Sequence, residues 1–247
     1  MSDSITPATQ PQAFPGTRWS LVLAATRDSS PESMAALETV CRAYWYPLYA
    51  YARRCGQSAH DAQDITQEFF RLLLEKRWLA NADREKGRLR SFLVSALKHF
   101  MAKEWRRASA QRRGGGLAPV PFDTDFAESR YAEQAPAQLG ADDVFDRQWA
   151  LTLLDLTLKR LEAEFAAAGK AEDFSVLKSF LAVTHEALDY DLAAHRLEVS
   201  AGAARVAVHR LRKRFRELYR QEVCQTLPDG TDLEAELRYL TKALAGP

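Results

Sequence analysis

A chain of 247 residues, 47% hydrophobic and 27% charged, has the makeup of an ordinary globular protein with room for two modest domains, which excludes a fibrous chain or one disordered throughout. No apolar run approaches the roughly 18 to 20 residues of a membrane helix, and MSDSITPATQPQAFPG lacks the basic start and apolar stretch of a secretory signal; a cytoplasmic location without membrane contact is expected. A net charge of +1 argues against a uniformly basic nucleic-acid binder, so where the charges fall matters more than their sum.

Residues 1–16, rich in Pro, Thr, Ser and Gln, read as a loose tail. TRWSLVLAATR then offers Thr17 as an N-cap. SPESMAALETVCRAYWYPLYAYARRCG has apolar residues at helical spacing, with Ser30-Pro31 as a start, Gly56 as a stop and Pro47 predicting a kink. A third helix opens at Ser58 and frays near Arg77, and a fourth covers 89–110. The three cysteines, Cys41, Cys55 and Cys224, form no C-x-x-C pair and leave an odd count, which predicts reduced thiols in place of a disulfide framework or zinc site.

Within the third helix, DAQDITQEFF places Asp61, Asp64 and Glu68 on one face and Ala62, Ile65, Phe69 and Leu72 on the adjoining one, with no base inside the stretch. A solvated face favoured by the helix dipole would explain the acids, and so would a docking surface for a basic partner helix. A carboxylate metal centre in a bundle needs Glu-x-x-His from two helices, and this chain has none. With no Gly-rich phosphate loop or serine elbow either, neither an enzyme nor a cofactor or metal site is expected.

The fourth helix, in DREKGRLRSFLVSALKHFMAKEWRRASAQRR, sets Phe92 and Phe100 in a core. Its bases are spread around the other faces, as suits a strand whose phosphates need neutralising. Residues 111–144, with consecutive glycines, several prolines and an excess of acids, predict a flexible linker with short ordered pieces around Phe122 and Tyr131. Helical patterning resumes at FDRQWALTLLDLTLKRLEAEF. In 190–220, a short helix with Leu192, Ala193 and Leu197 precedes Glu198-Val199-Ser200, and Ser200 caps a second helix whose buried face is Ala204, Val208, Leu211 and Phe215. A basic stripe flanks that face, giving a helix-turn-helix plan in which Glu198 stands where glycine is usual. PDGTDLEAELRYLTKALAGP adds a final helix with Leu233, Leu237, Leu240 and Leu244 on one side, expected to pack on its own domain.

Taken in order, D-A-x-D-x-x-Q-E-x-F, then G-R-x-R-S-F-L-x-x-x-x-K-H-F-x-x-x-x-R-R, and after a linker S-A-G-A-A-R-V-A-V-H-R-L-R-K-R-F-R-E-L, the chain resembles bacterial sigma factors of the extracytoplasmic-function (ECF) class. The resemblance covers 17–110 and 145–222. It implies an all-α fold of two small helical domains, region two at 17–110 and region four at 145–222, joined by the 111–144 linker and followed by an extension at 223–247.

It also implies that Asp61, Asp64, Gln67 and Glu68 dock on the clamp helices of the largest subunit of core RNA polymerase. The loop at 81–90 and the helix after it would read and melt the downstream promoter element, through Arg88, Arg90, Lys98, His99, Lys103, Arg106 and Arg107. Ala203, Arg205, His209, Arg210, Arg212 and Lys213 would read the upstream element. Val206 and Ala207 depart from the family, which often has serine and arginine there, and base readout from those two is not expected. The linker acids Asp123, Asp125 and Glu128 either mimic nucleic acid in the polymerase or belong to a plain tether. An anti-sigma protein is a further candidate partner. A stand-alone helix-turn-helix regulator would explain 190–220 and leave the acidic face without a role.

Overall fold

The computed structural model describes residues 31–75, 88–110, 124–134, 138–182, 190–228 and 230–246, without the side chains of 32–36, 105–110, 124–126 and 133. The expected helix at Thr17 and the loop at 81–87 lie outside these. Among the described residues the fold is all-α, with no strand and no helix long and apolar enough to cross a membrane.

Helix α1 (Pro31–Arg54) starts on a proline, whose fixed φ suits the first helical position and whose missing N–H would be unpaired there anyway. Pro47 lies inside it, and Gly56, at φ +92°, ends it in the left-handed region that a side chain would strain. The Ser58 hydroxyl caps α2 (Ala59–Glu75) by accepting from the Asp61 backbone N–H at 3.1 Å. Helix α3 (Leu89–Ala110) turns Leu89, Leu93, Leu97 and Phe100 inward, with Phe92 partly buried beside them.

Next come α4 (Thr124–Gln134), α5 (Ala141–Ala167), α6 (Ala171–Leu177) and a 3-10 turn at Lys178–Leu181. The chain ends in α7 (Tyr190–Arg196), α8 (Ala201–Cys224) and α9 (Leu233–Ala245). Ser200 caps α8, accepting from the Ala203 backbone N–H at 3.2 Å, and Asp232 caps α9 in the same way.

Two cores hold these helices. The first joins α1, α2 and α3 to the front half of α5: Trp149 is fully buried and stacks on Tyr44, ring centroids 4.1 Å apart. Val223 and Leu227 after α8 and Leu240 of α9 belong to this same core. The second gathers Leu161, Phe174, Leu177, Phe180, Ala193, Ala204, Val208, Leu211 and Leu218. Helix α5, 27 residues and about 40 Å long, runs from one core into the other. The expected divisions at 145 and 222 therefore fall inside α5 and α8, and the last helix packs on both α5 and α8.

Part of the expected linker is helix. Ala127 of α4 is buried against Tyr46 and Tyr49 of α1, and Glu128 takes two hydrogen bonds from Arg53, at 2.7 and 2.9 Å, and one from the Tyr49 hydroxyl. Arg130 lies 4.1 Å over the Tyr46 ring. Glu128 thus satisfies the chain's own arginine and does not stand out as a nucleic-acid mimic. Asp123 and the Asp125 side chain lie outside the described residues.

Candidate functional site

On α2 the face opposite the core carries the acids. Ala62, Gln63, Thr66, Phe69, Phe70 and Leu73 are buried; Asp61 is exposed, and Asp64, Gln67 and Glu68 sit at its margin. Bases just outside the quoted stretch temper this face, contrary to what its sequence suggests. Arg71 folds back onto Glu68 with hydrogen bonds of 2.7 and 2.6 Å, and His60 lies 3.7 Å from Asp64. Asp61 accepts the Ser58 hydroxyl at 2.6 Å. The bond to Glu68, then that to Glu75, holds the Arg71 guanidinium above its ordinary pKa. Such exposed pairs within one helix are weak and screened by salt.

The basic residues before and along α3 divide sharply. Arg90 is buried, with its guanidinium 3.1 Å from Glu236 and 3.5 Å from Asp146, and 4.7 Å over the Tyr239 ring. Arg88 reaches the same Glu236 at 3.0 Å. Neither Glu236 oxygen nor Arg90 Nη1 has an aligned hydrogen bond, so charge holds Glu236 to the arginines, while the Tyr239 hydroxyl donates to Asp146. Arg90 is thus engaged by α5 and α9, and Arg88 by α9, rather than turned outward as the expected DNA contacts would be. The two carboxylates, Glu236 of α9 and Asp146 of α5, and the two arginines balance in charge, as a buried ionic cluster requires. Lys98 pairs with Asp142 at 2.8 Å. His99, its Nδ1 2.7 Å from the Ser95 carbonyl, and Lys103 are exposed, while the side chains of Arg106 and Arg107 are not among those described.

Around α7, the turn at 197–200 and α8, the expected core face is met: Ala204, Val208 and Leu211 are buried, and Phe215 is partly so. Glu198 takes φ +53°, the left-handed conformation a glycine would hold without strain. Ala203, Arg205, His209, Arg210 and Lys213 are exposed along α8, with Arg205 5.4 Å over the Tyr190 ring. Arg212 instead turns inward and donates to the Phe180 carbonyl at 3.0 and 2.7 Å, tying α8 to the 3-10 turn. Arg214 is engaged as well, on Glu164 at 2.8 Å through two nitrogens, and that bond holds the Glu164 carboxyl below its usual range.

On the basic elements, too, features escaped sequence reasoning. One is the acid cluster at Arg90; the signal available was Glu236 itself, a charge set among Leu233, Leu237 and Leu240 on an otherwise apolar side of a helix. The other is Val206, half-exposed on α8 in spite of its size.

Neither the curated proteins nor the solved structures compared with the chain give a match. One family model does: residues 42–111, from the middle of α1 to just past the end of α3, match sigma-70 region 2. That stretch contains all of α2 with its outward acids, and it supports a sigma-factor role in promoter recognition by RNA polymerase, a role in transcription initiation that is non-enzymatic in that family.

Proposed function

We propose that this chain is an ECF-type promoter-specificity subunit, which binds core RNA polymerase and directs initiation by recognising and melting promoter DNA. The observation that carries this is the position of α2: it lies wholly within the region-two match and presents Asp61, Asp64, Gln67 and Glu68 on the side its core leaves open. In this role those residues dock on a basic helix pair of the polymerase. Charge complementarity would then set the encounter rate and the register of docking.

Residues 190–224 serve as the region-four unit. Helix α7 supports, Ser200 starts the second helix, and the exposed bases of α8 meet phosphates and base edges of a duplex major groove. His99 and Lys103, with Arg106 and Arg107 further along α3, hold the separated downstream strand after the loop at 81–87 has captured an unstacked base. Arg88, Arg90 and Arg212 act differently, by bracing the helices on which the contact residues ride.

The test is transcription on genomic fragments. Core polymerase supplied with the full chain should initiate at a defined set of sites that core alone does not use. Polymerase that carries the bound chain and makes no new starts would contradict the proposal. Tight duplex binding by the chain without polymerase would favour a stand-alone regulator.

A further inference from the structure

Val206 is 49% exposed on the second turn of α8, and the buried side of that helix is already complete without it in Ala204, Val208 and Leu211. A β-branched residue lowers helix propensity relative to alanine, so neither the fold nor the helix explains a valine at this place. Its outward neighbours toward the start of the helix are Gly202 and Ala203, which have no side-chain donor or acceptor, and toward the other end are His209 and Arg210. The Ser200 hydroxyl oxygen accepts from the Ala203 N–H at the cap, before the first turn, and the Arg205 guanidinium lies over Tyr190. Hence, apart from Arg205, the outward side of the first two turns of α8 presents the methyl groups of Ala203 and Val206 where a recognition helix ordinarily presents hydrogen-bonding side chains. Further along, Arg210, Lys213 and Arg216 are exposed and suited to phosphates.

Among base edges in the major groove, the thymine 5-methyl is the group that apolar side chains recognise. We infer that this chain reads its duplex site through thymine methyl groups, with Val206 as the specificity-determining side chain and Ala203, three residues back on the same face, beside it. The inference rests on the promoter-binding role proposed above and supplies the chemistry of its upstream contact. It also assigns base readout to Val206, a position where the sequence alone gives no reason to expect any.

Uracil lacks only that methyl, which makes it the probe. Holoenzyme assembled from core polymerase and the full chain is offered a pool of randomised duplexes. The enriched duplex is then remade with deoxyuridine in place of thymine, one position at a time. Wild type should enrich thymine at one or two adjacent positions and lose about fourfold in affinity for each methyl removed there. Val206→Ala, at an exposed site and so expected to keep the melting temperature, should bind the thymine and uracil duplexes alike. Equal binding of both duplexes by wild type would overturn the inference, as would a Val206→Ala variant that keeps the full thymine preference. If polymerase that carries the chain enriches no duplex at all, the promoter-binding role itself fails and this inference fails with it.

Discussion

The bases at the start of α3 and those along α8 use their charge in opposite ways. Arg88 and Arg90 point into the protein, around the nearly inaccessible Glu236. Arg205, His209, Arg210, Lys213 and Arg216 point out. A cluster of bases in a sequence thus says how much positive charge there is and leaves open whether the chain spends it on itself. What decides is the supply of acceptors elsewhere: Asp146 on α5 and Glu236 on α9 reach the start of α3, and on α8 Arg212, Arg214 and Arg220 find acceptors on the Phe180 carbonyl, Glu164 and Glu234.

Breaking the inward cluster should have the largest effect. Glu236→Ala leaves Arg90 buried without its nearest acid and is expected to cost about 3–5 kcal/mol of stability in guanidinium unfolding, while Arg90→Met combined with Glu236→Leu recovers most of it. Arg210→Ala on the outward side should change stability by less than about 0.5 kcal/mol. Its effect belongs to binding instead: Arg210→Ala and Lys213→Ala should each lower the slope of holoenzyme–DNA affinity against salt by about one.

The turn between α7 and α8 allows a smaller test in the other direction. Glu198→Gly relieves a left-handed φ at an exposed residue and should stabilise the α7–α8 unit by up to about 1 kcal/mol, seen as a higher thermal midpoint. Last comes the docked linker helix. The Arg53 hydrogen bonds hold the Glu128 carboxyl below its usual range. A group whose pKa falls on folding stabilises above its unfolded pKa, about 4.3 for Glu, and that contribution fades as pH drops through the folded value. Hydrogen-exchange protection of 127–134 should therefore weaken below about pH 4 in wild type, and Glu128→Gln should flatten that dependence.

Much of this was legible from residue spacing. Ser58, Gly56 and Ser200 marked helix ends because caps and left-handed stops act locally, within a few residues. The inward side of α8 was legible for the same reason. Glu198 was legible as a misfit, and the structure gives it the positive φ that made it one. The partners of Arg90 were not, because Asp146 and Glu236 lie far along the chain and nothing local couples them. Of α4 only an ordered piece around Tyr131 was legible: its residues carry a weak apolar pattern, and docking on Tyr46, Tyr49 and Arg53 is a tertiary effect. The acidic face was read correctly as outward, but Arg71 and His60 lie just outside the quoted stretch, so their pairing with Glu68 and Asp64 was missed.

The most direct measurement is the affinity of core RNA polymerase for the wild-type chain and for an Asp64→Arg, Glu68→Arg variant whose far-UV circular dichroism matches wild type. Both positions are exposed enough that charge reversal spares the core of α2. If the acidic side of α2 is the polymerase dock, wild type binds and the variant loses at least about a hundredfold, as charge reversal at a complementary interface costs several kcal/mol. A folded wild type that does not bind core polymerase, or a variant that binds as tightly as wild type, would contradict the account.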